Sequence, residues 1–263
     1  MESEIRPAAV AGLFYPADAA TLQHQLDEYL SQAETKELPP KAMIVPHAGT
    51  IYSGSIAASA YARLKNAEKT ISRVVLLGPA HRVSFRGVAA PTVKYFSSPL
   101  GKIPIDTQAI QRLKEKFPQI VLDDNPHAEE HSLEVHLPFL QKILQNITLL
   151  PLLVGQADPE EVAEILHEVW GGPETLIVIS SDLSHFHDYA TAKSRDARTS
   201  KAIEDNYGEH IGSEDACGFL PVRGLLLVAK DKGLKARTID LRNSGDTAGT
   251  KDRVVGYGAY VFE

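Results

Sequence analysis

Ala42-Met43-Ile44-Val45-Pro46-His47-Ala48-Gly49 holds the pattern that organises this 263-residue chain. Four apolar residues with no polar alternation read as a short strand buried on both faces. Pro46 stops it, a glycine-bearing turn carries His47, and the small-residue segment Ser55–Leu64 reads as the helix that follows. The unit recurs. Arg73–Leu77 is a second buried strand, ended by Gly78-Pro79, and Thr148–Val154 and Thr175–Ile179 are two more. Asp158–Trp170 is the cleanest helix: Asp158 caps it, Pro159 takes the first helical position, and Glu161 completes a capping-box pair. Upstream, a helix starts at Asp18 with Leu22, Leu26, Tyr29 and Leu30 on one face, and the polar Ala33–Lys41 connects it to the first strand.

The other segments fill in the plan. Gly87–Lys94 and Leu100–Ile105 read as a hairpin-type excursion, and Thr107–Lys116, Leu133–Leu144, Thr191–Asp205 and Gly218–Lys232 as helices. Ala236–Leu241 and Val254–Phe262 read as two closing strands. Strands alternating with helices predict an α/β fold, a sheet covered on both faces, and the paired terminal strands predict a mixed one. No composition break divides residues 1–263, so one domain is expected.

Composition narrows the partners. With 27 Lys+Arg against 34 Asp+Glu, the net charge of −7 lacks the basic footprint of a nucleic-acid binder. The longest apolar runs, Thr148–Val154 and Leu225–Ala229, are too short to span a bilayer, and Met1–Pro7 lacks the apolar core of a signal peptide. One cysteine, Cys217, cannot form an internal disulfide, which fits a reducing cytoplasm. With no P-loop, dinucleotide fingerprint or Gly-x-Ser-x-Gly elbow, no nucleotide cofactor is expected.

Three strands run straight into histidine-bearing loops: Val45-Pro46-His47-Ala48-Gly49 leading to Tyr52-Ser53-Gly54, Leu77-Gly78-Pro79-Ala80-His81, and Ile179-Ser180-Ser181-Asp182-Leu183-Ser184-His185. Ligands of open α/β sheets bind beyond the carboxyl ends of the strands. Singly, each histidine reads as a strand-end residue; if the strands are neighbours, His47, His81, Asp182 and His185 share one crevice. Imidazoles held on rigid strand ends suit iron, copper or zinc. Cys217, at the start of an apolar helix, reads as a nucleophile or metal ligand favoured by the helix N-terminus, or as an inert buried thiol. In Glu129-Glu130-His131-Ser132-Leu133-Glu134-Val135-His136, helical spacing places Glu130 with Glu134 and His127 with His131. His131 and Glu134 read either as outer residues that orient ligands or contact substrate, or as acidic and polar helix-start capping.

These motifs, with Glu130-His131-Ser132-Leu133-Glu134-Val135 and Leu137-Pro138-Phe139-Leu140 between them, resemble the Memo family, whose bacterial and archaeal members are also called AmmeMemoRadiSam system protein B. Arg6-Pro7-Ala8 and Phe14-Tyr15-Pro16 match as well, so the resemblance covers nearly the whole chain. It implies a three-layer α/β/α fold with a central mixed β-sheet, as in the class III (LigB-like) extradiol dioxygenases. Those enzymes hold Fe(II) with two histidines and a carboxylate and use a further histidine as acid and base. Carried over by motif, His47 and His81 are the metal imidazoles, His185 the acid/base, and Cys217 stands where the ring-cleaving enzymes place a carboxylate. A thiolate is softer than a carboxylate, oxidisable, and suited to Cu(I), Zn or a differently tuned iron. Where many members carry a second histidine after the Gly-Pro-x-His motif, this chain has Arg82.

The resulting expectation is a cytoplasmic redox-metal protein, a non-haem oxidoreductase if an enzyme. Iron or copper is held by His47, His81 and Cys217, with Asp182 and His185 lining the pocket. Arg82, Tyr52, Glu130, His131 and Glu134 serve substrate or ligand orientation. The alternatives are a metal carrier or sensor on the same ligands, a scaffold binding phosphotyrosine peptides in the same crevice as animal members are thought to, and, last, a Cys–His hydrolase. The resemblance also implies association with a radical-SAM protein and an AMMECR-like protein.

Overall fold

The computed structural model describes residues 4–33 and 37–263. Residues 1–3 of the charged N-terminus and 34–36 of the expected Ala33–Lys41 connection lie outside the described residues. In chain order the elements are β1 (Ile5–Arg6), α1 (Ala19–Gln32), β2 (Ala42–Val45), α2 (Thr50–Tyr61), β3 (Arg73–Pro79), β4 (Val88–Ala90), β5 (Tyr95–Ser98), β6 (Gly101–Pro104), α3 (Thr107–Lys116) and β7 (Ile120–Leu122). They continue with α4 (Asn125–Ala128), α5 (Leu137–Ile143), β8 (Thr148–Val154), α6 (Pro159–Val169), β9 (Thr175–Ser180), β10 (His185–His187), α7 (Tyr189–Glu204), α8 (Phe219–Asp231), β11 (Ala236–Asn243) and β12 (Val254–Phe262).

The large sheet runs β10-β12-β2-β9-β3-β8-β4-β7, with β11 also on β12. Its centre, β2, β9, β3 and β8, is parallel, whereas β12 is antiparallel to β2 and β4 to β8. Every residue of β2 and β9 is buried, as their unbroken apolar sequences require. From one side α2, flanked by α1 and α5, covers β2, β11 and β12. From the other, α8 covers β3 and β9 with α6 against it, and α7 packs on β11 and β12. The result is a three-layer α/β/α sandwich around a mixed sheet, as expected.

Local chemistry sets the ends of the helices. Asp18 accepts the Thr21 N–H at 2.9 Å and starts α1, which buries Leu22 and Leu26. Asp158 and Glu161 close the capping box of α6. Burying side chains of this size contributes about 1.5–3 kcal/mol each.

Three expectations are corrected. The hairpin is β5–β6, which joins β1 in a separate three-stranded sheet, while β4 enters the main sheet between β8 and β7. Val88-Ala89-Ala90 is small, apolar and buried, which suits an inner strand. The helix expected through His127–His131 ends at Ala128, because the Glu130 carboxylate takes the backbone N–H groups of His131 and Ser132 that a helix would use. Leu133–Leu144 divides into a 3-10 turn, Glu134–His136, and α5, with Pro138 in the first turn of α5.

Candidate metal centre

The strands expected to be neighbours are neighbours. β9 lies between β2 and β3, in register Val45 with Ser180 and Leu77 with Ile179, so all three end on the same edge. The loops beyond them are stitched together. Ser181 N–H donates to the Val45 carbonyl at 3.0 Å, and His47 N–H to Asp182 Oδ1 at 2.8 Å. The Glu130–Leu133 segment crosses the end of β3 where Gly78 has no side chain; a Cβ there would meet Leu133 Cδ2 at 2.8 Å and Ser132 Oγ at 3.0 Å.

Among the described residues, His47, His81 and His131 bring one ligand atom each to within 4.8 Å of one another. The His81 and His131 rings stack with centroids 4.7 Å apart, and His47 stands edge-on to both at 5.2 and 5.4 Å. His47 and His131 are largely enclosed, whereas the His81 side chain is 29 % exposed, so the cluster opens to solvent on the His81 side.

Hydrogen bonds fix two of the three tautomers. Ser180 Oγ donates its one proton to the Ser132 carbonyl at 2.6 Å, so at 2.5 Å it can only accept from His47 Nδ1–H. The lone pair of His47 is therefore on Nε2. His81 Nδ1–H donates to Glu130 Oε1 at 2.9 Å, which leaves its lone pair on Nε2 as well. Metal-binding imidazoles are oriented in this way, with the far nitrogen tied to a carboxylate or other acceptor. In His131 the buried Nδ1 lies 3.2 Å from Glu130 Oε1 without the geometry of a hydrogen bond. Burial, reinforced by the neighbouring imidazoles, holds His47 well below the usual histidine value, and burial pushes His131 down to about 4. Both are neutral near pH 7 and able to ligate. Burial alone would raise the Glu130 carboxyl, but hydrogen bonds from the His81 ring and backbone and from Ser132 prevail and hold it at about 2.

Cys217 lies beside this cluster. Its Sγ is 3.4 Å from His47 Nε2 and accepts the Asp182 N–H at 3.3 Å. Gly218 permits the approach, since a Cβ there would meet the Ser180 carbonyl at 2.6 Å. The expected thiolate does not arise from the helix N-terminus: burial pushes the thiol up, and the Asp182 carboxylate adds to it. Asp182 is itself raised by burial, against the pull of His185 and the His47 N–H. The His185 Nδ1–H donates to the Leu183 carbonyl at 2.8 Å.

The remaining expected site residues divide. Arg82 lines, with His81, Cys217, Phe85, Gln156 and Phe219, a cavity of about 360 Å³ next to the imidazoles. Tyr52 is on the first turn of α2, partly exposed. Glu130 is the His81 partner just described. Glu134 is elsewhere: fully buried, it pairs with Arg6 at 2.6 Å and accepts from Ala9 N–H, Val10 N–H and Tyr15 O–H. It braces the N-terminal segment. Sequence reasoning gave His131 an outer role where the structure puts its ring in the cluster, and it missed Ser132 and Ser180. The Glu130-His131-Ser132 run was the available signal for His131; a hydroxyl relay spanning 133 residues left none.

The family described as Memo-like protein matches residues 6–261. A MEMO1 family protein of Aquifex aeolicus is 35 % identical over 269 residues, covering 98 % of this chain and 99 % of that one. One from Saccharolobus solfataricus is 32 % identical, covering 98 % and 99 %, and one from Methanosarcina mazei is 32 % identical, covering 99 % and 100 %. No helix among the described residues is long and apolar enough to cross a membrane. By sequence along its length, and with the motif histidines meeting at one sheet edge, the chain belongs to the Memo-like protein family.

Proposed function

We propose that this protein binds a redox metal, iron or copper, through His47, His81 and His131 with Cys217 as an adjoining sulfur ligand, and acts as a non-haem oxidoreductase. The observation that carries the reading is the convergence of three imidazoles, two with tautomers fixed so that their lone pairs lie on Nε2. The donor set fits: three neutral nitrogens with one soft sulfur suit iron, copper or zinc. When bound, such a metal supplies electron transfer and Lewis acidity. The rest falls to the chain. Cys217 ligates once it gives up the proton that burial now holds on sulfur. His185 Nε2 accepts and returns a proton, with Asp182 beside it as a second carrier. Arg82 holds an anionic group of a substrate seated in the adjoining cavity. Kinship with the LigB-like dioxygenases, the radical-SAM and AMMECR-like partners and a cytoplasmic location belong to the same proposal.

Metal content by plasma mass spectrometry, on untagged protein purified without oxygen, tests it. Near-stoichiometric iron or copper that falls at least tenfold in His81→Ala and His131→Ala is the expected result. Zinc alone would remove the redox part, and no transition metal even after reconstitution would sink the reading in favour of a peptide-binding crevice. A carrier or sensor is the second reading, favoured by the solvent-facing His81; steady oxygen uptake with an aromatic substrate separates the two.

A further inference from the structure

β10 and β12 are antiparallel, yet His185 pairs with Val255 and His187 with Val254. Two steps on one strand match one on the other, so Phe186 is the extra residue of a β-bulge. Its φ is 64°, the left-handed region that glycine occupies freely and a bulky side chain does not. Such a residue persists where its surroundings over-determine it. They do so here on both sides. Upstream, Leu183 N–H donates to the Gly256 carbonyl and Gly256 N–H to the Ser184 carbonyl, each at 2.8 Å, while Ser184 N–H reaches Asp196 Oδ1 at 3.0 Å. Downstream, Asp188 caps α7 through Thr191 N–H at 3.0 Å. The phenyl ring is 60 % exposed, and the Arg253 guanidinium lies 4.5 Å from its centroid.

We propose that Phe186 is a positioning residue: its left-handed backbone holds the His185 imidazole with its Nδ1–H on the Leu183 carbonyl, and the Arg253 contact clamps the bulge from outside. This rests on the reading of His185 as a proton carrier. A regular strand would alternate His185, residue 186 and His187 across the sheet without the bend that the extra residue introduces. The bend leaves the His185 Nδ1–H on the Leu183 carbonyl and the lone pair on Nε2. The phenyl group is mostly exposed and meets the His185 ring edge-on, with centroids 5.6 Å apart, whereas the backbone angle sets the bulge itself.

The test uses metal-free, full-length protein labelled with ¹⁵N-histidine, the His185 ring signals being identified by their loss in His185→Gln. Long-range ¹H–¹⁵N correlation reads the tautomer, expected as Nδ1–H in the wild type. Phe186→Gly is expected to keep that tautomer with a Tm within about 2 °C of wild type or above it, since glycine takes this φ without strain. Phe186→Val keeps apolar bulk but tolerates left-handed backbone worst, and is expected to scramble the tautomer and lower Tm by about 3 °C or more. A packing role predicts the opposite order. Loss of the Nδ1–H signature in Phe186→Gly, or its retention in Phe186→Val, overturns the proposal; if the valine variant does not fold, the glycine variant alone decides. Arg253→Gln is expected to lower Tm in the Phe186 background and to leave that of Phe186→Gly unchanged, and equal effects in both overturn the clamp. No metal enters the readout, so failure here leaves the metal assignment standing, and loss of that assignment leaves this one.

Discussion

Replacing Arg6 with methionine probes how the candidate site is held from behind. The guanidinium is 5 % exposed and its partner carboxylate, Glu134, is fully enclosed. Arg6 also donates to the carbonyls of His127 and Glu130, each at 2.6 Å, so one side chain ties the N-terminal segment to the loop that carries Glu130 and His131. Removing one member of a buried ion pair costs about 3–5 kcal/mol, since the surviving charge stays in a dry setting. Each of the two carbonyls left without its charged donor adds up to ~1–3 kcal/mol. The three losses share one network and do not sum, so a total near 5 kcal/mol is reasonable. For a chain of this size that is a drop in Tm of about 10–20 °C, measurable by calorimetry on metal-free protein. Glu134→Gln in the same background removes the orphaned charge and keeps an oxygen for Val10 and Tyr15, at the loss of the Ala9 N–H bond, so the double variant should regain part of the loss. A fall of less than about 3 °C for Arg6→Met would mean that the pair is not the brace described, and a double variant worse than both singles would refute the electrostatic account.

Three more outcomes are expected. Glu130→Gln should weaken metal binding about 10–100-fold in a chelator competition, because the His81 ring loses the carboxylate that fixes its orientation. Burial holds His136 at about 3 and His127, where the Arg6 charge adds to burial, at about 4. In both, the unfolded chain binds the extra proton at higher pH than the folded one, so their stabilisation is complete above the ordinary value near 6.5 and shrinks as pH falls. Urea midpoints should then fall between pH 6.5 and 4 with a slope of about 1.4 kcal/mol per unit for each histidine, and the slope should flatten in His127→Gln/His136→Gln. A slope unchanged in that double variant would contradict it. Finally, iodoacetamide should alkylate Cys217 of metal-free protein at pH 8 at least about tenfold more slowly than a free thiol, because burial keeps the sulfur protonated.

Much of the frame was legible because it depends on local patterns. β2, β3, β8 and β9 are continuous apolar runs, and α1 and α6 announce themselves through Asp18 and Asp158. The neighbourhood of His47, His81 and Asp182 was legible only as a conditional, since strand order is a property of the whole sheet. β7 and β10, each three residues long, carry too little periodicity to register, and β4, inside Gly87–Lys94, registered with the wrong partner. The helical reading of the segment around His131 and Glu134 failed for a related reason. Their spacing is helical, but Glu130 spends its carboxylate on the backbone of residues 131 and 132, and Glu134 finds Arg6 from 128 positions away. Such partners lie beyond any window that reads pattern. At Cys217 the helix start is legible in the sequence, but the burial that raises the thiol is not.

The position of β9 between β2 and β3 also imposes an order on biosynthesis. His47 and His81 emerge early, but the strand that fills the slot between theirs ends at Ser180, and the hydroxyl that sets the His47 tautomer belongs to that last residue. A nascent chain shorter than about 180 residues thus displays imidazoles with no cradle, on strands with unpaired edges. Folding rates fall as such distant pairings come to dominate. The ribosome-bound intermediate is accordingly the state most exposed to aggregation, and the histidine cluster assembles late, when the inserted strand closes the sheet.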